Sequence, residues 1–238
     1  MTYCVGVLVD AGLVLLSDTR TNAGLDNIST YRKLFIFEEP GDRVICLQTA
    51  GSLSVTQTVL ARINEAIKAE DGRPSLMTCE TMLEVAEMVG GMLREVSTDI
   101  QSRLGQKGGG SASILLSGQL KGGQMRLFLL YDAGNFIEAT DDTPFLQIGE
   151  HKYGKPILDR VIDRSVSLAE ARKAALLSMD STIRSNLSVG MPLDLVTIPR
   201  DEWRVESRER FEAGDEKIAG MSEAWSRALR DAYTQIEI

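Results

Sequence analysis

Histidine is almost absent from the 238-residue chain, which contains only His151. Zinc hydrolases of the H-E-x-x-H type need two imidazoles on one helix, so that class of enzyme is excluded. A Ser-His-Asp triad would have to use His151, and no G-x-S-x-G nucleophile elbow accompanies it. The scarcity of histidine therefore leaves few hydrolytic mechanisms open.

Cysteine is also scarce, and its positions exclude the common cysteine-based sites. Cys4, Cys46 and Cys79 lie far apart in the sequence and form no C-x-x-C pair. This pattern is typical of buried, reduced thiols in a cytosolic protein, and it gives no sign of a zinc or iron–sulfur site. We therefore expect a cytoplasmic protein with no metal and no organic cofactor.

The chain has neither an excess of basic residues nor a long apolar segment. Its 26 Lys and Arg face 34 Asp and Glu, and the resulting net charge of −8 argues against nucleic acid as the main partner. No uninterrupted apolar run approaches the roughly 18–20 residues that a membrane span requires. Met1-Thr2-Tyr3-Cys4 leads directly into a strand pattern, without a secretory signal. We expect neither a nucleic acid nor a membrane as partner.

The chain does contain a dense apolar pattern, 43% of its residues, whose period changes along the sequence. Alternating or continuous apolar runs bounded by turn residues predict strands at 3–10, 13–17, 34–38, 43–49, 112–117, 125–131, 136–140, 145–148, 193–198 and 203–211. A period of 3.6 predicts helices at 54–68, 78–104, 153–163 and 168–184, and a last helix along Ile218, Met221, Trp225, Leu229 and Tyr233. Blocks of strands alternating with blocks of helices favour an α+β sandwich of two antiparallel sheets with helices on the outer faces. We expect one domain over 1–238.

The second residue is the first candidate for chemistry. Methionine aminopeptidase normally removes Met1 before a small residue, and Thr2 would then carry a hydroxyl and a free α-amine on the same residue. That amine, with an unperturbed pKa of about 7.7–8, can accept the hydroxyl proton while Oγ attacks a carbonyl. Thr2 is therefore a candidate nucleophile that supplies its own base.

Two charged residues are candidates for activating Thr2. Asp18 closes the second predicted strand, and Lys33 directly precedes the third. If these strands are neighbours of the first, all three residues meet at one end of the sheet. A Lys33 ammonium would stabilise the developing alkoxide and lower the pKa of the α-amine, and Asp18 would neutralise and orient that cation.

These residues, with the glycines and turns around them, resemble the proteasome β-subunit family of N-terminal nucleophile hydrolases, which includes the HslV type. The resemblance rests on Thr2, Gly6, Gly12, Ser17-Asp18-Thr19-Arg20, Lys33 and Ala50-Gly51-Ser52. The later segments 148–154 and 179–186 are most similar to the Anbu, or ancestral β-subunit, branch of that family. The resemblance covers nearly the whole chain.

The resemblance implies a four-layer αββα sandwich and a threonine peptidase. In this family pattern Thr2 is the nucleophile, Asp18 and Lys33 activate it, and the Gly51 N–H supplies the oxyanion hole. Further implied site residues are Thr21 and Thr49 in the specificity pocket, Ser185 as a supporting hydroxyl, and Asp180 in a structural or site role. The chain departs from the pattern at Gly149-Glu150, where core proteasome and HslV-type subunits have a serine after the glycine.

Three functions are consistent with these residues. The first is a cytosolic threonine endopeptidase that cleaves peptides or unfolded proteins inside a homo-oligomeric ring or open spiral. The second is a proteasome-fold assembly or scaffold subunit with little or no peptidase activity, and the third is an N-terminal nucleophile amidase for a non-peptide amide. The sequence carries no signal that identifies an ATP-dependent unfoldase partner.

Overall fold

A computed structural model describes residues 1–22, 28–69, 71–104 and 110–237 of the chain. Its strands are β1 (Tyr3–Val9), β2 (Gly12–Asp18), β3 (Arg20–Asn22), β4 (Ile28–Thr30), β5 (Leu34–Glu39), β6 (Arg43–Gly51), β7 (Ala112–Leu120), β8 (Arg126–Leu130), β9 (Phe136–Glu138), β10 (Phe145–Gly149), β11 (Leu193–Pro199) and β12 (Ser207–Phe211). Its helices are α1 (Leu53–Lys68), α2 (Met82–Leu104), α3 (Lys155–Val161), α4 (Leu168–Ser185) and α5 (Glu216–Thr234), and a 3₁₀ turn covers His151–Tyr153. Within the described ranges, no helix is long and apolar enough to span a lipid bilayer.

The strands form two main antiparallel sheets. The first sheet has the order β10-β1-β2-β11-β12 and the second has the order β5-β6-β7-β8-β9, while β3 and β4 pair as a short separate ribbon. In both sheets every pair of neighbouring strands is antiparallel. The consecutive strands β1 and β2 form a hairpin, as do β5 and β6, in agreement with the turn signals in the sequence.

The two sheets pack face to face because their central strands are apolar on both sides. In β1, Cys4 and Leu8 lie in the core between the sheets, whereas Val5 and Val7 lie in the core beneath α3 and α4. The second sheet alternates in the same way and is covered on its outer face by α1 and α2. This arrangement is the predicted αββα sandwich, and the prediction is confirmed.

Several predicted boundaries differ from the structure for local reasons. The strand predicted at 203–211 begins only at Ser207, because Asp201 and Trp203 have φ values of +61° and +46°, which are incompatible with extended backbone. The helix predicted from residue 78 begins at Met82, since a hydrogen-bonded turn between Ser75 and Thr78 precedes it. The strands β3 and β4 were not predicted, because three-residue strands are too short to show a period of two.

Candidate active site

Thr2 is held in place by the two ends of neighbouring strands. It directly precedes β1, and the adjacent pair Tyr3 and Gly149 joins the start of β1 to the end of β10. The Thr2 carbonyl oxygen accepts a hydrogen bond of 2.7 Å from the backbone N–H of Glu150. Thr2 is buried. The residue predicted to be the nucleophile is therefore fixed by the sheet and does not lie on a frayed end.

Asp18 closes β2 beside the start of β1. Its Oδ1 accepts hydrogen bonds from the Tyr3 N–H at 3.0 Å and from Lys33 Nζ at 2.7 Å. Its Oδ2 accepts a third hydrogen bond from the Gly190 N–H at 3.3 Å. The carboxylate is fully buried, so these donors are what compensates its loss of hydration.

Lys33 lies in the short segment before β5 and reaches across to Asp18. Besides its ion pair with that carboxylate, Nζ donates to the backbone oxygens of Arg20 at 2.7 Å and Met1 at 3.3 Å. The side chain is only 6% exposed. Because Asp18 belongs to the first sheet and Lys33 borders the second, this ion pair bridges the two sheets directly at residue 2.

The ionisation of Asp18 depends on Lys33. Burial raises the pKa of the Asp18 carboxyl above its ordinary value, and the nearby ammonium and the three hydrogen bonds oppose this shift. Without the ammonium, burial would raise the pKa of the Asp18 carboxyl further. The charged form of Asp18 is thus maintained chiefly by its partner on the other sheet.

A Lys33→Met variant is expected to lose about 3–5 kcal/mol of stability at neutral pH, because it leaves a buried carboxylate unpaired. Since burial raises the folded-state pKa of Asp18 above its unfolded value, the loss should be smallest at low pH, where the carboxyl is protonated. Stability of the variant should then fall as pH rises through that raised pKa. Urea unfolding over about pH 5–8 measures this dependence.

The matched control for that measurement is the Asp18→Asn/Lys33→Met double variant. Asparagine keeps an oxygen that can accept from the Tyr3 N–H but carries no charge to bury. The double variant should be more stable than Lys33→Met alone and should show no such pH dependence. A pH-independent loss in the single variant would contradict the assigned electrostatics.

A cavity of about 300 Å³ opens at this cluster and contains most of the predicted site. Its lining includes every residue predicted as nucleophile, ammonium partner, oxyanion donor or pocket wall, namely Thr2, Thr21, Lys33, Thr49 and Gly51. Tyr31 and Arg32 add a phenol and a guanidinium to the same wall. The structure thus brings these residues together, while their individual roles remain predictions.

Gly51 ends β6 in a conformation that favours glycine. Its φ is +99°, and a Cβ at this position would collide with the carbonyl group of Ser111, the residue directly before β7. The following residue, Ser52, donates its N–H to the same Ser111 oxygen at 2.9 Å before α1 begins. The chain therefore changes from strand to helix at Gly51, and the role of its N–H as an oxyanion donor stays a prediction.

A second cavity, of about 410 Å³, shares Ala50 and Gly51 with the first. Its polar lining includes Asp132, Gln147 and His151. Gly51 therefore lines both cavities.

Asp180 and Ser185 are the two predicted site residues that belong neither to the lining of the cavity beside Thr2 nor to the hydrogen-bonded cluster of Asp18 and Lys33. Asp180 forms an ion pair with Arg184, one turn further along α4, at 3.3 Å. Ser185 is the exposed last residue of α4. Among the described residues, neither forms a hydrogen bond or ion pair with Thr2, Asp18 or Lys33, and their supporting roles remain predictions.

Gly190 is a site residue that the sequence reasoning missed. Its N–H donates to Asp18, and a Cβ in its place would collide with the guanidinium of Arg20. That guanidinium in turn donates to the Leu187 carbonyl oxygen at 2.9 Å. The segment after α4 therefore supplies one of the hydrogen-bond donors around the Asp18 carboxylate. No sequence motif marks this contact, because Gly190 reaches Asp18 only through the fold.

Gly149 was noted only as a departure from the family pattern, yet it has a structural function. Its φ is +81°, and a Cβ there would overlap the carbonyl oxygen of Thr2. A glycine is thus required for β10 to approach residue 2 closely. A glycine at the end of a predicted strand was the sequence signal that could have indicated this close approach.

Comparison with known proteins was made at three levels. No protein-family model matches the chain, and the search of curated proteins returns no match. Solved structures do match. Anbu (ancestral β-subunit) from Yersinia bercovieri is 41% identical with a TM-score of 0.92, over 99% of this chain and 98% of that chain.

Two further structures agree with this match. An Anbu (Gly-1) mutant from Hyphomicrobium sp. strain MC1 is 49% identical with a TM-score of 0.93, over 100% of this chain and 99% of that chain. A structure described as the helical assembly of the Anbu complex from Pseudomonas aeruginosa is 41% identical with a TM-score of 0.93, over 99% of this chain and 97% of that chain. The likeness predicted from the sequence is confirmed, and the chain belongs to the Anbu family of proteasome-like proteins.

Proposed function

We propose that the chain is an N-terminal threonine peptidase that acts within a homo-oligomer once Met1 has been removed. The observation that carries this proposal is the buried pair of Asp18 and Lys33, whose ammonium lies 3.3 Å from the carbonyl oxygen of Met1. That carbonyl belongs to the peptide bond that makes the Thr2 nitrogen an amide. Removal of Met1 converts the nitrogen into a free amine beside a positioned cation.

The chemistry follows from these positions. Thr2 Oγ attacks the carbonyl carbon of a peptide bond, and the Thr2 amine accepts the hydroxyl proton. Lys33 stabilises the alkoxide that develops, and the Gly51 N–H binds the oxyanion of the tetrahedral intermediate. The amine then returns its proton to the leaving amine, and water hydrolyses the resulting ester to free the threonine.

The two cavities that share Gly51 in their linings support a polypeptide as substrate. The cavity beside Thr2 has a volume of about 300 Å³, which accommodates one side chain, and its wall contains the basic residues Arg32 and Lys33. The second cavity shares Ala50 and Gly51 with the first, and its lining contains Asp132 and His151. We expect a peptide or an unfolded segment to cross Gly51 with one residue in each recess.

Self-association and location form part of the same proposal. A helical assembly is described for the Pseudomonas aeruginosa relative, and we propose that this chain also assembles with copies of itself. We propose a cytoplasmic location because Cys4, Cys46 and Cys79 are all free and buried, as expected in a reducing compartment.

The test of the peptidase proposal is labelling with a peptide epoxyketone, which reacts with both the hydroxyl and the free amine of an N-terminal threonine. We expect the intact mass of native protein to show the loss of Met1, and the labelled peptide to map to Thr2. Thr2→Ala protein prepared in parallel should remain unlabelled. Retention of Met1 in native protein, together with no labelling, would refute the proposal.

A second candidate function is that of a proteasome-fold scaffold with little peptidase activity. Two observations favour it. Glu150 stands where related peptidases have a serine, and Ser185 is exposed and, among the described residues, forms no hydrogen bond with Thr2. A processed protein that assembles but neither reacts with the epoxyketone nor cleaves peptides would support the scaffold.

A further inference from the structure

The strand β10 has an edge that no other described strand covers. It is the outer strand of the first sheet and pairs with β1 alone. At its two ends, the Glu150 N–H donates to the Thr2 oxygen and the Leu8 N–H donates to the Pro144 oxygen. Because hydrogen-bonded and non-hydrogen-bonded positions alternate along an antiparallel pair, the N–H and C=O of Gln147 point away from β1.

This free edge borders the second cavity, the one of about 410 Å³, whose lining includes Gln147 and Gly149. The side chain of Gln147 is held elsewhere, because its Nε2 donates to the Tyr3 phenol at 2.5 Å. Tyr3 is buried, and its hydroxyl also shares a hydrogen bond with Ser178 on α4. We therefore assign the backbone groups of Gln147 to the wall of the cavity. A donor and an acceptor at a free edge can pair with a further extended segment.

Two side chains add hydrogen-bond acceptors to the same cavity. His151 Nδ1 lies 3.1 Å from the Gly149 carbonyl oxygen. A carbonyl can only accept, so Nδ1 carries the proton and Nε2 of the neutral imidazole is an acceptor. Asp132, in the turn between β8 and β9, adds a carboxylate. A positively charged group with several N–H donors, as in lysine or arginine, matches these acceptors.

The charges of the two cavities differ in sign. Among the described residues, the lining of the second cavity includes the Asp132 carboxylate and no lysine or arginine. The lining of the cavity beside Thr2 includes Arg32 and Lys33 and, among the described residues, no carboxylate. A basic side chain is therefore favoured electrostatically in the second cavity over the first.

We propose that the second cavity binds an extended segment of the substrate polypeptide, which pairs with β10 at Gln147 and places a lysine or arginine side chain beside Asp132 and His151. Successive side chains of a strand point to opposite faces. The basic residue is therefore the neighbour of the residue that pairs with Gln147, and it stands on the same face as Ile148, which also lines the cavity. This inference rests on the proposed peptidase function and adds the class of side chain that the substrate carries.

The first test measures selectivity in turnover. Fluorogenic peptides are compared in which arginine replaces citrulline, its uncharged analogue, at one position at a time. We expect a position at which kcat/KM is about 10- to 100-fold higher for arginine, the range that a charge-assisted hydrogen bond provides. Asp132→Asn should bring this ratio close to one. Equal values for arginine and citrulline at every position would overturn the proposal.

The matched control for that variant is Asp142→Asn. Asp142 is exposed between β9 and β10 and belongs to the lining of neither cavity. Its replacement removes the same charge from the chain, so the preference for arginine should equal that of unsubstituted protein. An equal fall in both variants would show that net charge sets the preference, and it would overturn the assignment to Asp132.

The pairing with β10 is tested by methylation of the peptide backbone. In the preferred arginine peptide, the N–H of each residue next to the arginine is methylated in turn. We expect one of the two analogues to lose about tenfold or more in kcat/KM, because the methyl group removes a donor at the residue opposite Gln147. Unchanged values for both analogues would overturn the pairing.

The last test needs no turnover. His151 is the only histidine, so protein without a histidine tag, labelled with ¹³C at histidine Cε1, gives one imidazole signal. N-acetyl-arginine amide should shift this signal in unsubstituted protein, whereas N-acetyl-citrulline amide at the same concentration should leave it in place. Asp132→Asn should abolish the response to arginine. No response to the arginine compound, or an equal response to both compounds, would overturn the proposal.

The two proposals fail in different ways. If native protein neither cleaves peptides nor reacts with the epoxyketone, the proposed peptidase function is wrong, and the His151 signal alone decides whether the cavity binds a basic group. If peptides are cleaved without a preference for arginine and the His151 signal does not respond, only the assignment of the second cavity is wrong.

Discussion

Replacement of Thr2 by alanine is expected to reduce peptide hydrolysis by roughly 10⁶-fold, the order seen when a serine hydrolase loses its nucleophile. Alanine removes Oγ but keeps the α-amine and the small side chain that permits removal of Met1. The buried pair of Asp18 and Lys33 is retained, so the fold and the electrostatic surroundings should be unchanged. Turnover of a fluorogenic peptide, with the intact mass checked for loss of Met1, measures the effect.

The matched control is Thr2→Ser, which retains both the hydroxyl and the amine. We expect it to be labelled by the epoxyketone and to keep measurable turnover, because the same two groups carry the chemistry. Turnover in Thr2→Ala equal to that of unsubstituted protein would show that another group is the nucleophile. Loss of turnover in both variants, with Met1 removed, would show that the γ-methyl of threonine is also required.

The second large effect concerns Gly149. Gly149→Ala is expected to lower the melting temperature by roughly 10 °C, because at about 2–4 °C per kcal/mol this corresponds to several kcal/mol of lost stability. The cause is the overlap between the new Cβ and the backbone carbonyl of Thr2, which forces β10 and residue 2 apart. Peptide hydrolysis should fall as well, since the nucleophile would be displaced.

The control variant Gly41→Ala separates two contributions to the loss of stability, the steric overlap with Thr2 and the cost of a left-handed backbone. Gly41 has a φ of +86°, close to the +81° of Gly149, but a Cβ at Gly41 meets no atom within 4 Å. The control should therefore show only the left-handed backbone cost of about 1–2 kcal/mol and normal hydrolysis. Equal melting temperatures for the two variants would show that close packing against Thr2 is not what requires the glycine.

The layers of the fold could be predicted from the sequence because their signals are local. The apolar runs on both faces of β1 and the 3.6-residue period of α2 each fix an element type without knowledge of its neighbours. The boundaries that were wrong depend on conformations that no period reveals. The left-handed Asp201 and Trp203 are the clearest example, since a pattern of apolar and polar residues carries no information about the sign of φ.

The candidate site also contains residues that local sequence signals identify and residues that they do not. Asp18 and Lys33 could be proposed because each borders a recognisable strand. The reason given for their meeting was wrong, since β5, the strand after Lys33, belongs to the second sheet and is not a neighbour of β1, and the two residues meet across the two sheets. Gly190 could not be proposed, since it reaches Asp18 only through the return of the chain from α4 into β11, which pairs with β2. Such a contact, 172 residues apart, is a property of the topology and leaves no local pattern.

The ion pair between the sheets also links activity to the interior of the protein. The core between the two sheets includes Leu15 from the first sheet and Leu34 and Cys46 from the second, all of them buried. Any sliding of one sheet across the other would separate carboxylate from ammonium by the same displacement. The alignment of Asp18 with Lys33 is therefore maintained by the apolar packing of this core, so we expect mutations well away from Thr2 to alter the proposed chemistry without changing a polar group.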